Sequence, residues 1–143
     1  MIKKGEATRR IIEDLKELSK AYEPTKCYII ARNSKDEVDC SLISKNFLSG
    51  ELDKDVLICN ERIGKCELIT KGSNVVCIEV QGHQVYMLKD ELSSVKEGDK
   101  LAYIVTNKGE VRVVRSPYKG LIALIDEVLG EKYTHYRVFM VIK

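Results

Sequence analysis

A chain of 143 residues with 44% apolar and 32% charged side chains has the composition of a globular domain and not of a disordered segment. Its 24 basic and 22 acidic residues are interspersed and give a formal net charge of +2, which argues against nucleic acid or a membrane surface as a partner. No window approaches the roughly 18 consecutive apolar residues of a spanning helix, and the basic start is not followed by an apolar signal segment. We therefore expect a cytoplasmic protein built as one compact unit.

The cysteines are odd in number and include no C-x-x-C pair. This pattern argues against a disulfide framework and against a zinc ribbon, so we predict buried free thiols. The alternative is a metal site that joins two of them, Cys59 and Cys66, to His83 or His135. The full set is Cys27, Cys40, Cys59, Cys66 and Cys77.

The first predicted element is an amphipathic helix over residues 6–22, and Pro24 ends its pattern. Charged residues cover every face of this segment except one apolar stripe. That stripe predicts a helix that packs on the sheet that follows or on a partner chain. It consists of Ile11, Ile12, Leu15 and Leu18.

After Pro24 the apolar residues occur in short β-branched runs that are separated by turn residues. Many short strands with tight turns predict an antiparallel sandwich or barrel. The region 34–53 is the exception, and we interpret it as a loop with one strand near 40–44. The predicted strands are 27–32, 55–60, 66–70, 74–80, 84–89, 100–106, 110–116, 121–128 and 135–142.

The carboxy-terminal part has an ordered set of turns: a V-x-x-G-D turn at 95–99, a lysine turn Asn107-Lys108-Gly109 and an S-P-x-x-G corner at 116–120. This order resembles the biotinyl and lipoyl carrier domains over about residues 95–128. It is also similar to an uncharacterised archaeal family, a domain of unknown function found in methanogens, that shares their barrel-sandwich hybrid fold. The resemblance implies a mainly β protein with a biotinyl/lipoyl-like domain over 74–143. An accessory β segment over 25–73 and the amino-terminal helix over 1–24 precede that domain.

In carrier domains the lysine at the hairpin tip carries the biotinyl or lipoyl group, and Lys108 occupies that place. Its neighbours Asn107 and Gly109 differ from the methionines of biotinyl domains and from the Asp and Ala of lipoyl domains. The run from Lys108 to Pro117 is about one residue longer than in carriers, which predicts a β-bulge near Val114. These departures favour an unmodified turn lysine without biotin or lipoate, and leave an acylated Lys108 as the alternative.

A second set of candidate residues is basic. Alternation along the last strand places Tyr133, His135 and Arg137 on one face, where they can bind an anion through charge-assisted hydrogen bonds. The plain alternative is a solvated outer face. With the basic residues of the preceding strand and corner, the candidate ligand-binding set is Arg112, Arg115, Lys119, His135 and Arg137.

No catalytic motif is present: the sequence has no G-x-S-x-G, no phosphate-cradling loop and no H-E-x-x-H, and it has only two histidines. We therefore predict a non-catalytic binding or scaffold module without metal or covalent cofactor. Its expected partner is another protein or a second copy of the chain. The alternatives are a carrier acylated on Lys108 and an anion-binding module that uses Arg112, Arg115 and Arg137.

Overall fold

The computed structural model describes residues 24–50 and 52–142. The helix predicted over 6–22 lies outside the described residues. No helix in the described ranges is long and apolar enough to cross a membrane. The described elements are β1 Thr25–Ala31, β2 Ser34–Val38, α1 Cys40–Phe47, β3 Asp55–Asn60, β4 Lys65–Ile69, β5 Val75–Gly82, β6 Gln84–Met87, β7 Ser94–Val95, β8 Lys100–Val105, β9 Val111–Arg115, β10 Gly120–Glu127 and β11 Thr134–Ile142.

The chain is mainly β, as the sequence predicts, and its strands form three antiparallel sheets. The first sheet has the order β2-β1-β3-β4, the second β5-β11-β10-β7 and the third β6-β8-β9. The predicted strands match the observed ones to within about two residues at each end, because period-2 alternation and turn residues mark them clearly.

The region 34–53 differs from the prediction. Residues 34–38 form a charged edge strand, and the strand expected near 40–44 is wrong because these residues begin helix α1. Asp39 caps the helix, its carboxylate accepting a hydrogen bond from the Ser41 amide at 3.1 Å. Ile43 and Phe47, four residues apart, bury one face of the helix. The short apolar run was ambiguous between strand and helix, and the Asp39 cap was the signal that separates them.

Two hydrophobic cores lie on opposite faces of the second sheet. The first core fills the space between that sheet, α1 and the first sheet, and its aromatic centre is the pair Phe47 and Phe139, with ring centroids 5.7 Å apart. The second core lies between the second and third sheets and includes Leu101, Ile122 and Met140. The second sheet is therefore buried on both faces over much of its area.

The 116–120 corner connects β9 to β10. The Ser116 hydroxyl donates to the Tyr118 carbonyl at 2.6 Å and accepts from the Tyr118 amide at 3.2 Å, which closes the corner around Pro117. Gly120 follows in the middle of the second sheet, where a Cβ atom would overlap the carbonyl oxygen of Val141. The corner residues are thus architectural, as the sequence predicts.

The bulge predicted near Val114 lies on the opposite strand. The register pairs Lys100 with Arg115 and Ala102 with Val114, so the extra residue is Leu101 of β8. Both Leu101 and Ala102 are fully buried, and every residue of β9 has a partner on β8 in the register. The placement on β9 is therefore wrong, because a length mismatch in a hairpin does not show which strand contains the extra residue.

The prediction of five buried free thiols is wrong. Two disulfides join Cys27 to Cys40 and Cys59 to Cys66, with Cα atoms 5.3 and 4.0 Å apart, and the remaining thiol, Cys77, is exposed. Cys59 and Cys66 are direct cross-strand partners in the β3–β4 hairpin. This pairing also removes the alternative metal site, because its two sulfur ligands are bonded to each other.

We predict that Gly120→Ala lowers the free energy of unfolding by about 2 kcal/mol, because the new Cβ forces strands β10 and β11 apart. Urea denaturation monitored by circular dichroism measures this change. Gly109→Asn is the matched control, since Gly109 faces open space at a φ of +82° and asparagine tolerates that conformation. A Gly120→Ala variant as stable as Gly109→Asn would contradict the close approach.

Candidate functional site

The lysine turn is a three-residue hairpin loop between β8 and β9. The Thr106 amide donates to the Glu110 carbonyl at 2.9 Å, and the Gly109 amide donates to the Thr106 carbonyl at 2.9 Å. The Thr106 hydroxyl accepts from the Glu110 amide at 3.1 Å. Gly109 takes the positive φ that ends such a loop, and Lys108 is exposed at the tip. The hairpin expected around Lys108 is therefore present.

A cavity of about 380 Å³ lies beside this hairpin. The inner face of β8 and β9 contributes Ile104 and Arg112, which are direct cross-strand neighbours. The hairpin loop contributes Asn107 on one side. The corner between β5 and β6 closes the other side. The lining residues are Gln81, Gly82, His83, Ile104, Thr106, Asn107, Arg112 and Tyr133.

Gly82 sets the shape of this cavity. A Cβ atom at that position would overlap the γ-methyl of Ile104 and lie 3.2 Å from the Gln84 carbonyl oxygen. Without a side chain, the β5–β6 corner approaches the third sheet closely. That approach brings His83, at the turn, to the same cavity as Arg112.

His135 lies near the cavity in a polar network. It is 4% exposed, and its Nδ1 atom is 3.2 Å from a Glu131 oxygen. Its Nε2 atom is 3.3 Å from the Gln81 amide nitrogen and 3.5 Å from Glu79. The tautomer that donates from Nδ1 to Glu131 leaves Nε2 free to accept from Gln81. His135 therefore fixes the side chain of Gln81, which lines the cavity.

Tyr133 borders the cavity from the loop between β10 and β11. The Glu131 carboxylate, hydrogen-bonded to the phenol, raises the pKa of Tyr133. The ring centroids of Tyr133 and His135 are 6.3 Å apart. Glu131 thus holds both side chains, and the tyrosine keeps its proton at neutral pH.

The predicted basic set does not form one cluster. Arg112 lines the cavity, whereas Arg115 donates to the Gly98 carbonyl at 3.0 Å and Lys119 is exposed in the 116–120 corner. Arg137 lies 3.3 Å from Glu79, so a carboxylate of the protein already compensates its charge. His135 contacts two glutamates instead of arginines.

The sequence reasoning missed several residues of the site. Gln81 and Tyr133 come from the end of β5 and from the β10–β11 loop, and no periodic signal in the sequence places them beside Arg112. Glu131 and His135, four residues apart, carried a detectable hint, because a carboxylate near a histidine often orients the ring.

A second cavity, of about 310 Å³, lies where the first sheet meets β10. Its central group is the carboxylate of Glu91, which accepts from the Thr25 hydroxyl at 2.6 Å and from the Ile125 amide at 2.8 Å. The next residue, Leu92, is fully buried with a φ of +69°, a conformation that costs a non-glycine residue about 1–2 kcal/mol. The Asn60 amide binds the Glu91 carbonyl at 2.9 Å. Glu91 therefore joins the two halves of the described chain.

Burial raises the pKa of Glu91, and the two hydrogen bonds that its carboxylate accepts oppose that shift only in part. Among the described residues, no group of three or more histidines, cysteines or acids is placed to bind a metal ion. The arrangement at the hairpin cavity supplies a guanidinium, amides and an imidazole, which are groups suited to hold a polar or anionic ligand.

We predict that Glu91→Gln becomes more stable relative to wild type as the pH rises from acid to neutral. The raised pKa means that the folded protein favours the protonated carboxyl, so wild-type stability falls as the pH rises from the ordinary value of 4.5 through the raised one. Glutamine stays neutral: its oxygen can accept from the Ile125 amide, and its NH2 group can donate to the Thr25 hydroxyl. Urea denaturation over this range tests the trend, with the exposed Glu97→Gln as the control. An equal trend in both variants would contradict the assignment.

Comparison with known proteins gives a family for the chain. A family model described as "Uncharacterized protein conserved in archaea (DUF2118)" matches residues 2–142. The chain is also similar to uncharacterized protein MJ0859 of Methanocaldococcus jannaschii, at 30% identity over 93 residues. That alignment covers 62% of this chain and 57% of the relative's length. Since the family model spans almost the full sequence, the chain belongs to this archaeal family of uncharacterised proteins.

Proposed function

We propose that this protein is a non-catalytic binding module that holds an anionic group in the hairpin cavity. The observation that supports this most directly is the composition of the cavity wall. Arg112, Asn107 and His83 face it, and none of its eight described lining residues is acidic. A carboxylate or phosphate group in the cavity would accept charge-assisted hydrogen bonds from Arg112.

The present partner of Arg112 is weak. Its guanidinium lies 3.5 Å from the carboxylate of Glu110, and the two side chains are 70% and 61% exposed. Ion pairs with such exposure contribute little to stability. A ligand anion can therefore take this partner's place at little cost to the fold.

We also propose that residues 74–143 have a biotinyl/lipoyl-like barrel-sandwich hybrid fold. The two facing sheets, the lysine hairpin and the 116–120 corner support this relationship. A cytoplasmic location belongs to the same proposal. Disulfides are rare in that compartment, although intracellular proteins of hyperthermophilic archaea contain them.

We predict that Arg112→Gln weakens binding of the ligand anion at least about tenfold, because a charge-assisted hydrogen bond contributes about 1.5–3 kcal/mol. Amide chemical shifts recorded during titration with inorganic phosphate and with acetate measure this binding. The expected shifts are at Gln81, His83 and Asn107. Arg62→Gln is the control, because Arg62 is an exposed arginine that does not line the cavity. Shifts spread evenly over all basic residues would contradict a cavity site.

A second candidate function is a carrier with an acyl group on Lys108. Its support is the position of Lys108, exposed at the tip of a short, well-ordered hairpin where a modifying enzyme can reach the amine. The cavity beside the same hairpin offers a place for the distal end of an attached group.

We expect this second candidate to fail, with the intact mass of the protein from its native cells equal to that of the unmodified chain. Peptide mapping across Lys108 locates any added mass, and Lys119, an exposed lysine of the 116–120 corner, is the internal control. A biotinyl or lipoyl mass on Lys108 alone would establish the carrier function and overturn the proposal of an unmodified module.

A further inference from the structure

β9 is an edge strand of the third sheet. In the third sheet it pairs with β8 on one side, and the described chain places no strand on the other. At its two ends, the Glu110 carbonyl accepts from Thr106 at 2.9 Å and the Ser116 amide donates to Asp99 at 2.8 Å, so both residues point their backbone groups toward the β8 side. Alternation then leaves the amides and carbonyls of Val111, Val113 and Arg115 directed away from β8. Six backbone groups in a row are available to another strand.

The side chains of β9 do little to protect this edge. Val111 and Val113 are 64% and 41% exposed, and the bulge of the hairpin lies on β8, so β9 stays regular. Exposed apolar edge strands of this kind are templates for strand addition.

The other edges differ from β9. β2 carries Lys35, Asp36 and Glu37 in succession, β4 carries Lys65 and Glu67, and β5 presents Glu79. β7 has two residues and β6 has four, which leaves little backbone for a partner strand. Charge and short length are common means of blocking edge pairing. β9 is five residues long, and two of its three outward side chains, Val111 and Val113, are uncharged.

The surroundings of β9 are strongly basic. The segment 108–119 contains four cations and one carboxylate, a net charge of +3, although the whole chain carries only +2. Lys100 and Arg115 are direct cross-strand neighbours in the register, an arrangement that is unfavourable for like charges without an anion nearby. The charge around the edge is therefore complementary to an acidic partner.

We propose that the free edge of β9 binds an extended acidic peptide segment of a partner protein by strand addition. The peptide backbone pairs with Val111, Val113 and Arg115, its apolar residues cover the two exposed valines, and a carboxylate lies near Arg115. A second copy of this chain fits less well, because pairing β9 with itself brings two segments of net charge +3 together. This surface lies on the edge and outer face of the third sheet, so the inference does not depend on the hairpin cavity.

The test uses a fluorescein-labelled peptide, with fluorescence anisotropy as the measurement. Valine and glutamate occupy every second position of this peptide, so that they share the face of Val111, Val113 and Arg115, and threonine fills the positions between them. Val113→Pro is the decisive variant. Proline at 113 removes a donor that points to the free edge, and no hydrogen bond to β8 is lost. We expect Val113→Pro to keep the circular dichroism spectrum and to weaken peptide binding at least about tenfold. Arg115→Gln should weaken binding severalfold, and Arg112→Gln, which probes the cavity, should not.

Two control peptides complete the design: one with glutamine in place of glutamate, and one with methylated backbone nitrogens on the residues that face β9. Both should bind at least about tenfold more weakly to the wild type. The methylated peptide also replaces Val113→Pro as the test if that variant does not fold. The inference would be overturned if the methylated peptide bound as tightly as the unmethylated one, or if a folded Val113→Pro bound the peptide as tightly as the wild type. Absence of binding at about 1 mM, the limit of weak recognition, would also overturn it. A dimer of the unliganded chain that Val113→Pro dissociates would also overturn it, because a second copy would then occupy the edge.

Discussion

The architecture depends on the burial of β11 on both faces. Phe139 packs against Phe47 in the first core, while its neighbours Val138 and Met140 point into the second core. Such a strand cannot shift its register by one residue without exchanging the contents of the two cores. β10 is also buried on both faces. A bulge between Ile122 and Leu124 places both Ala123 and Leu124 in the first core. The two halves of the described chain therefore share one central sheet.

The first core covers only part of the second sheet. Polar side chains of β5 and β11 occupy the rest of that face. Beyond Phe139, the same face of β11 presents Arg137 and then His135, opposite Glu79 and Gln81 of β5. Glu79 compensates the charge of Arg137, and Glu131 contacts Nδ1 of His135, so the face is a satisfied network that orients its neighbours. Arg112, whose ion pair with Glu110 is exposed, comes from another sheet and lines the cavity with Gln81.

The sequence predicted what depends on local patterns. Alternating β-branched residues marked nearly every strand, and the turn chemistry around Lys108 and Gly120 predicted the hairpin and the corner correctly. The sequence did not predict features that depend on which two segments of the chain pack together. The Leu101 bulge, the Cys27–Cys40 disulfide and the approach of Gly82 to Ile104 all arise between segments that one-dimensional periodicity does not connect. The Cys59–Cys66 pair was predictable, because two predicted strands with a short turn already placed these cysteines opposite each other.

The distribution of the disulfides has a consequence for the order of folding. The two crosslinks close short loops, with sequence separations of 13 and 7 residues. Both lie between Cys27 and Cys66, so neither constrains the chain after Cys66. In the oxidised unfolded chain, the disulfides therefore already reduce the conformational entropy of the segment that forms the first sheet. The second sheet must still pair Val75 with Val141 across most of the carboxy-terminal half. Closing so long a loop slows folding, so the amino-terminal sheet can form early and offer α1 as a surface on which β11 assembles.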